Sequence, residues 1–90
     1  MSATLFVRHP VTDFDSWHVA YDNAESIREA HGCTAKSVHQ APGDANDVMV
    51  VHEFPTLDQA QAFADDPALK DAMMAGGVAG PPRIEIFERA

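Results

Sequence analysis

Two histidines, His9 and His52, and the only tyrosine, Tyr21, are the side chains best suited to proton transfer in this chain. An imidazole titrates near neutral pH, and partial burial keeps it neutral and available as a general base. His9 is the candidate base, and His52 and Tyr21 would orient or protonate a bound molecule. Trp17, Met73 and Gly77 would wall the site and exclude water, and Arg28 could pair with a carboxylate. His9 ends the string Val7-Arg8-His9-Pro10, where a β-prone run stops and an aromatic-rich helix begins. Element ends of this kind often carry chemistry.

The elements that must position these residues follow from periodicity. Thr4 to His9 alternates as a strand, with Leu5, Val7 and His9 on one face and Thr4, Phe6 and Arg8 on the other. Asp13 or Asp15 caps a helix to about His31, in which Trp17, Ala20, Tyr21, Ala24, Ile27 and His31 recur at helical spacing and Gly32 is the stop. Thr34 to Gln40 and Asp47 to Phe54 flank the turn formers Pro42 to Asn46 and read as a hairpin. Thr56-Leu57-Asp58 opens a second helical region, restarted at Asp66-Pro67 and running through Met74. After the irregular Gly76 to Pro82, Arg83 to Glu88 alternates as a last strand.

The order β-α-β-β-α-β predicts an α+β, ferredoxin-like domain spanning residues 1–90. Its four-stranded antiparallel sheet has order 4-1-3-2, with both helical regions on one face. Taking the first and third strands as parallel neighbours puts His9 and His52 near one sheet edge, under the helix starts and beside the glycine-rich loop. Parity puts both on the helix-facing side, because His52 alternates with Val48, Val50 and Phe54. The opposite face is expected to carry Phe6, Val38, Met49, Val51 and Phe87 beside Arg8, Lys36, Glu53 and Glu85. A patch so apolar predicts a homodimer through the sheet face.

Composition narrows the partners. Ninety residues with 46% hydrophobic content suit one small core. A net charge of -8 disfavours nucleic acid and anionic membrane surfaces. Cys33 is the only cysteine, so no internal disulfide forms, and no run approaches the roughly 18 apolar residues of a membrane span. A cytoplasmic location fits best.

Val7-Arg8-His9, Asp13-Phe14-Asp15-Ser16-Trp17, Glu53-Phe54 and Pro67-Ala68-Leu69 resemble the dimeric α+β barrel superfamily over nearly the whole chain. Within it the chain is similar to the small antibiotic-biosynthesis monooxygenases and stress-responsive barrel proteins, some relatives of which are called cyclases. The resemblance implies a homodimer and an aromatic or polyketide-like ligand between sheet and helices. Its members include cofactor-independent monooxygenases, cyclases, isomerases and haem proteins, so it does not fix the reaction. In barrel cyclases a strand-borne histidine and a tyrosine act as acid and base, and His9 and Tyr21 match those positions loosely.

The leading expectation is therefore a cofactor-independent monooxygenase or cyclase using histidine acid-base chemistry, with no cofactor. The alternative is a non-enzymatic ligand-binding or dimerisation module. In that case His9 and His52 donate to backbone carbonyls, while Trp17 and Tyr21 are ordinary core. Haem on His9 or His52 is a third possibility. No glycine fingerprint follows a strand, which argues against a flavin or nicotinamide site. No metal set is evident. His18 and His31 lie thirteen residues apart, His39 is placed at the opposite sheet end from His9, and Cys33 is two residue pairs from His52.

Overall fold

The structure, a computed structural model, describes residues 1–90. Its strands are β1 (Ala3–Pro10), β2 (Ala35–Ala41), β3 (Asp44–Phe54) and β4 (Arg83–Glu88). They form one sheet of order β2-β3-β1-β4, antiparallel at every pairing. The helices α1 (Phe14–Asn23), α2 (Glu25–Ala30), α3 (Leu57–Asp65) and α4 (Pro67–Ala75) connect them. The expected ferredoxin-like topology is what the chain adopts.

Local chemistry sets the helix starts. Asp13 accepts from the Ser16 amide at 3.0 Å to cap α1, and Thr56 accepts from Gln59 at 3.2 Å to cap α3. Asp66 accepts from Ala68 at 2.9 Å, and Pro67 opens α4 where its missing N–H costs nothing. The long helix expected from Asp13 to His31 is broken at Ala24. There the Tyr21 carbonyl accepts from the Ala24 amide and from the Arg28 guanidinium, rather than from the Glu25 amide that an unbroken helix would supply.

The hairpin is tighter than its turn formers suggest. Pro42 and Gly43 alone make the turn, with Gly43 at φ 83°, and β3 begins at Asp44. A register shift beside Gln40 and Ala41 takes up the extra β3 residues. That irregular stretch carries Asn46, whose side-chain oxygen accepts from the Phe14 amide at 3.0 Å and whose carbonyl accepts from the Val11 amide at 2.8 Å. The hairpin thereby fixes the start of α1 beside the end of β1.

Leu5, Val7, Val48, Val50 and Phe54 form the buried sheet layer, with Trp17, Ala60 and Phe63 packed on it. The other face is bare and carries Phe6, Met49, Val51 and Phe87, with Phe87 58% exposed. Arg8 lies there too, bound to Asp47 through two hydrogen bonds of 3.1 and 2.7 Å. Val38 and Lys36 do not belong to this face. Val38 pairs with inward-facing Val50 and Lys36 with inward-facing His52, so both share the helix side. The parity of β2 depends on its pairing with β3, which alternation within so short and polar a strand does not specify.

Candidate functional site

His9 and His52 both point to the helices and are both 3% exposed. They do not share a sheet edge. Because β1 and β3 run antiparallel, His9 stands opposite Val48 and His52 opposite Leu5. Four residue pairs separate them, about 13 Å along the strands. The same antiparallel geometry corrects the placement of His39, which pairs with Met49 level with Arg8 and so lies at the His9 end, on the bare face.

Helix α1 spans the gap between the two imidazoles. The His9 ring meets Trp17 edge-on at 5.5 Å, Trp17 stacks on Tyr21 at 5.1 Å, and Tyr21 lies parallel to His52 at 5.9 Å. The i, i+4 spacing of Trp17 and Tyr21 puts the two rings on one helix face. Beneath them lies a cavity of about 50 Å³ floored by Val7 and Val50, with His9 and His52 in its lining. Leu69, Ala72 and Met73 of α4 close it on another side. Gly76, rather than the expected Gly77, completes the wall. A Cβ at Gly76 would lie 3.3 Å from Ala20 and 3.5 Å from Trp17, so glycine permits the close approach of α4 to α1. Gly77 instead accepts from the Thr12 amide at 3.0 Å and holds the loop to the end of β1.

The Tyr21 hydroxyl and Nε2 of His52 are 2.7 Å apart. If Tyr21 donates, only the His52 Nδ1–H lacks a partner. If the imidazole donates, both the Tyr21 hydrogen and Nδ1 lack one. The arrangement with fewer orphans has Tyr21 as donor. Burial, reinforced by the positive charges of Arg28 and Lys36, pushes the His52 pKa down to about 4. Burial pushes the Tyr21 phenol up to about 12, with Arg28 pulling the other way. Both groups are neutral at pH 7.

His9 differs. Its ring makes no side-chain hydrogen bond, and its Nδ1 is buried without a partner. Burial pushes its pKa below the usual value, an effect that backbone groups of His9 and Pro10 partly offset. A neutral imidazole with unused lone-pair capacity can accept a proton, and a phenol already polarised by a second imidazole can supply one.

Arg28 faces the sheet as expected but has no free fork for a carboxylate. Its Nε and Nη2 donate to Glu25 at 3.0 and 2.8 Å, and Nη2 also donates to the Tyr21 carbonyl at 2.6 Å. Lys36 binds the same Glu25 carboxylate. Sequence reasoning missed Glu25 and Lys36. The i, i+3 spacing of Glu25 and Arg28 was a readable signal, whereas the inward face of Lys36 depends on sheet register. No three His, Cys, Asp or Glu side chains converge as a metal site. Nε2 of His52 is engaged by Tyr21 and so is not free to ligate a haem iron.

No family model matches the sequence, and no curated protein matches it. Solved structures do match. SnoaB of Streptomyces nogalater, described as a cofactor-independent oxygenase, superposes with a TM-score of 0.79 at 10% identity, over 99% of this chain and 93% of that one. The ActVA-Orf6 monooxygenase of Streptomyces coelicolor, solved with nanaomycin D, gives 0.70 at 20% identity over 99% and 88%. The chain has the fold of the antibiotic biosynthesis monooxygenases. Rv0793 of Mycobacterium tuberculosis shares it at a TM-score of 0.65 and 7% identity, over 100% and 96%. At such identities the likeness concerns the backbone, and the site is argued from its own residues.

Proposed function

We propose that the protein is a homodimer that binds an aromatic or polyketide-like molecule and performs cofactor-independent acid-base or oxygenation chemistry on it. The observation that carries this reading is His9, a buried imidazole with no side-chain hydrogen-bond partner at one end of a cavity whose other end is the Tyr21–His52 pair. That SnoaB is a cofactor-independent oxygenase and ActVA-Orf6 holds nanaomycin D adds support for the ligand class.

His9 takes a proton from an activated carbon or a phenol of the substrate. The resulting conjugated anion is itself the reductant for dioxygen. Where the site is a CH2 flanked by aromatic rings, loss of the proton and capture of O2 give a hydroperoxide. Loss of water then leaves a carbonyl, so one CH2 and one O2 become C=O and H2O with no external electron donor. His52 holds the Tyr21 hydroxyl in place before reaction, Tyr21 then turns its hydrogen to the oxygen on which charge develops, and Trp17 covers the ring face. The dimer forms through the bare sheet face, where Phe6, Met49, Val51 and Phe87 would become core.

Cavity size favours a second reading, that of a module without turnover. About 50 Å³ holds only a few water molecules, whereas ligand sites enclose about 300–1,000 Å³. A ring system therefore enters only if a wall yields. Helix α4 has no buried residue and is the wall best able to do so.

Oxygen uptake with an anthrone, without added flavin, metal or nicotinamide, separates the two readings. His9→Leu should lower turnover about 100-fold or more while leaving stability equal or higher, since the substitution removes an orphaned buried nitrogen. Undiminished turnover in His9→Leu, or wild-type Trp17 fluorescence that does not respond to the anthrone, would overturn the enzyme proposal.

A further inference from the structure

Arg28 is 3% exposed, and a guanidinium taken out of water so completely is costly unless its surroundings repay it. Neutralisation alone would not require such depth, because its carboxylate partner Glu25 remains 40% exposed. The buried position instead serves Tyr21. Nη2 holds the Tyr21 carbonyl at 2.6 Å, and the guanidinium carbon lies 3.9 Å from the centre of the Tyr21 ring. One side chain thus grips Tyr21 by its backbone and its ring face, and the break between α1 and α2 at Ala24 accommodates that grip. The anchored ring places its hydroxyl 2.7 Å from His52.

We propose that Arg28 is a positioning residue for Tyr21, which it turns into a subsite for one acidic oxygen of the ligand, a phenol or enol held as its oxyanion. The inference rests on reading the cavity as a ligand site. Around Tyr21 stand Arg28 and Glu25 from α2, Lys36 from β2, His52 from β3, His18 and Asp22 on its own helix, and Cys33 just beyond α2. Arg28 and Lys36 share the single carboxylate of Glu25, His52 is neutral, and burial keeps the Cys33 thiol protonated. Asp22 balances the remaining positive charge in number but is 63% exposed to solvent, so the buried Arg28, 3.9 Å from the ring centre, is the charge that bears most closely on the phenol. When His9 removes the ligand proton, the Tyr21 hydrogen swings from Nε2 of His52 to the new oxyanion. A neutral acceptor is exchanged for a charged one, and the charge-assisted hydrogen bond, roughly twice as strong, must offset the Nε2 lone pair of His52 left without a donor.

Two measurements on the intact protein decide the matter. The first needs no ligand: the His52 titration and the ring resonances of the sole tyrosine, followed by NMR in wild type, Arg28→Met and Arg28→Lys. Loss of the Arg28 charge should raise the His52 midpoint by about half a pH unit or more, and loss of the carbonyl anchor should shift the Tyr21 ring signals. Arg28→Lys should keep the low midpoint while altering the ring signals, and it serves alone where the methionine variant does not fold. A His52 midpoint and Tyr21 resonances unchanged in the variants would overturn the positioning role.

The second measurement uses para-nitrophenol, whose colour reports its ionisation. Bound to wild type it should ionise at lower pH than in solution. Arg28→Met and Tyr21→Phe should abolish that shift, and Arg28→Lys should restore part of it. Binding without a shift would overturn the oxyanion subsite while sparing the cavity. Absence of binding would overturn the subsite together with the ligand-site reading, and the first measurement would still judge Arg28.

Discussion

Acidification tests the buried Tyr21–His52 pair directly, because the folded protein resists a proton that the unfolded chain accepts freely. The His52 pKa is about 4 in the fold against 6.5 in its absence. Above both values the imidazole is neutral in either state, and His52 contributes no pH dependence. Between them the unfolded state binds the proton and the folded state does not, so stability falls as pH drops through this window and levels off near pH 4. At about 1.4 kcal/mol per unit, the separation of about two and a half units costs about 3 kcal/mol. His52 is 3% exposed, so solvent screening scarcely reduces that figure. A small domain is stable by about 5–15 kcal/mol, so the loss is large, a fall in Tm of at least about 10 °C. His9 acts in the same direction, since burial lowers its pKa as well. The carboxylates with lowered pKa values, among them Asp66 and Glu25, lose their contributions at lower pH. Urea unfolding followed by Trp17 fluorescence, at fixed protein concentration, measures the slope. His52→Gln should flatten most of it. A wild-type protein equally stable across this window, or a His52→Gln variant with an undiminished slope, would refute the reasoning.

Two further outcomes test the frame around the site. Gly77→Ala should destabilise by about 1–2 kcal/mol in urea titrations, because its φ is 83° and a Cβ would stand 2.8 Å from the Thr12 hydroxyl. Gly43→Ala, at the same φ with open space around it, should cost less, and equal losses would show that the Thr12 contact contributes nothing. Phe87→Lys places a charge on the bare sheet face and should turn a dimer into a monomer in analytical ultracentrifugation. A wild-type protein that sediments as a monomer at micromolar concentration would remove the proposed interface.

The sequence by itself determined the element order, the caps and the buried face of three strands. Period-two alternation in β1, β3 and β4 leaves no freedom about which residues meet the helices, and side-chain oxygens at Asp13, Thr56 and Asp66 mark helix starts by satisfying free amides. It also singled out His9, Trp17, Tyr21 and His52, whose spacing along α1 and parity along the strands place them on one side of the sheet. Alternation within a strand carries no information about the direction or register of its neighbour. For that reason the shared edge of His9 and His52 gave way to positions four residue pairs, about 13 Å, apart along the strands, bridged by Trp17 and Tyr21. The same pairing carried Lys36 to the helix side, where Glu25 joins it to Arg28. Which histidine is free and which is engaged was decided only by tertiary contact. The Tyr21 hydroxyl reaches one imidazole and not the other, and hydrogen bonds act over about 3 Å between residues that the chain keeps far apart.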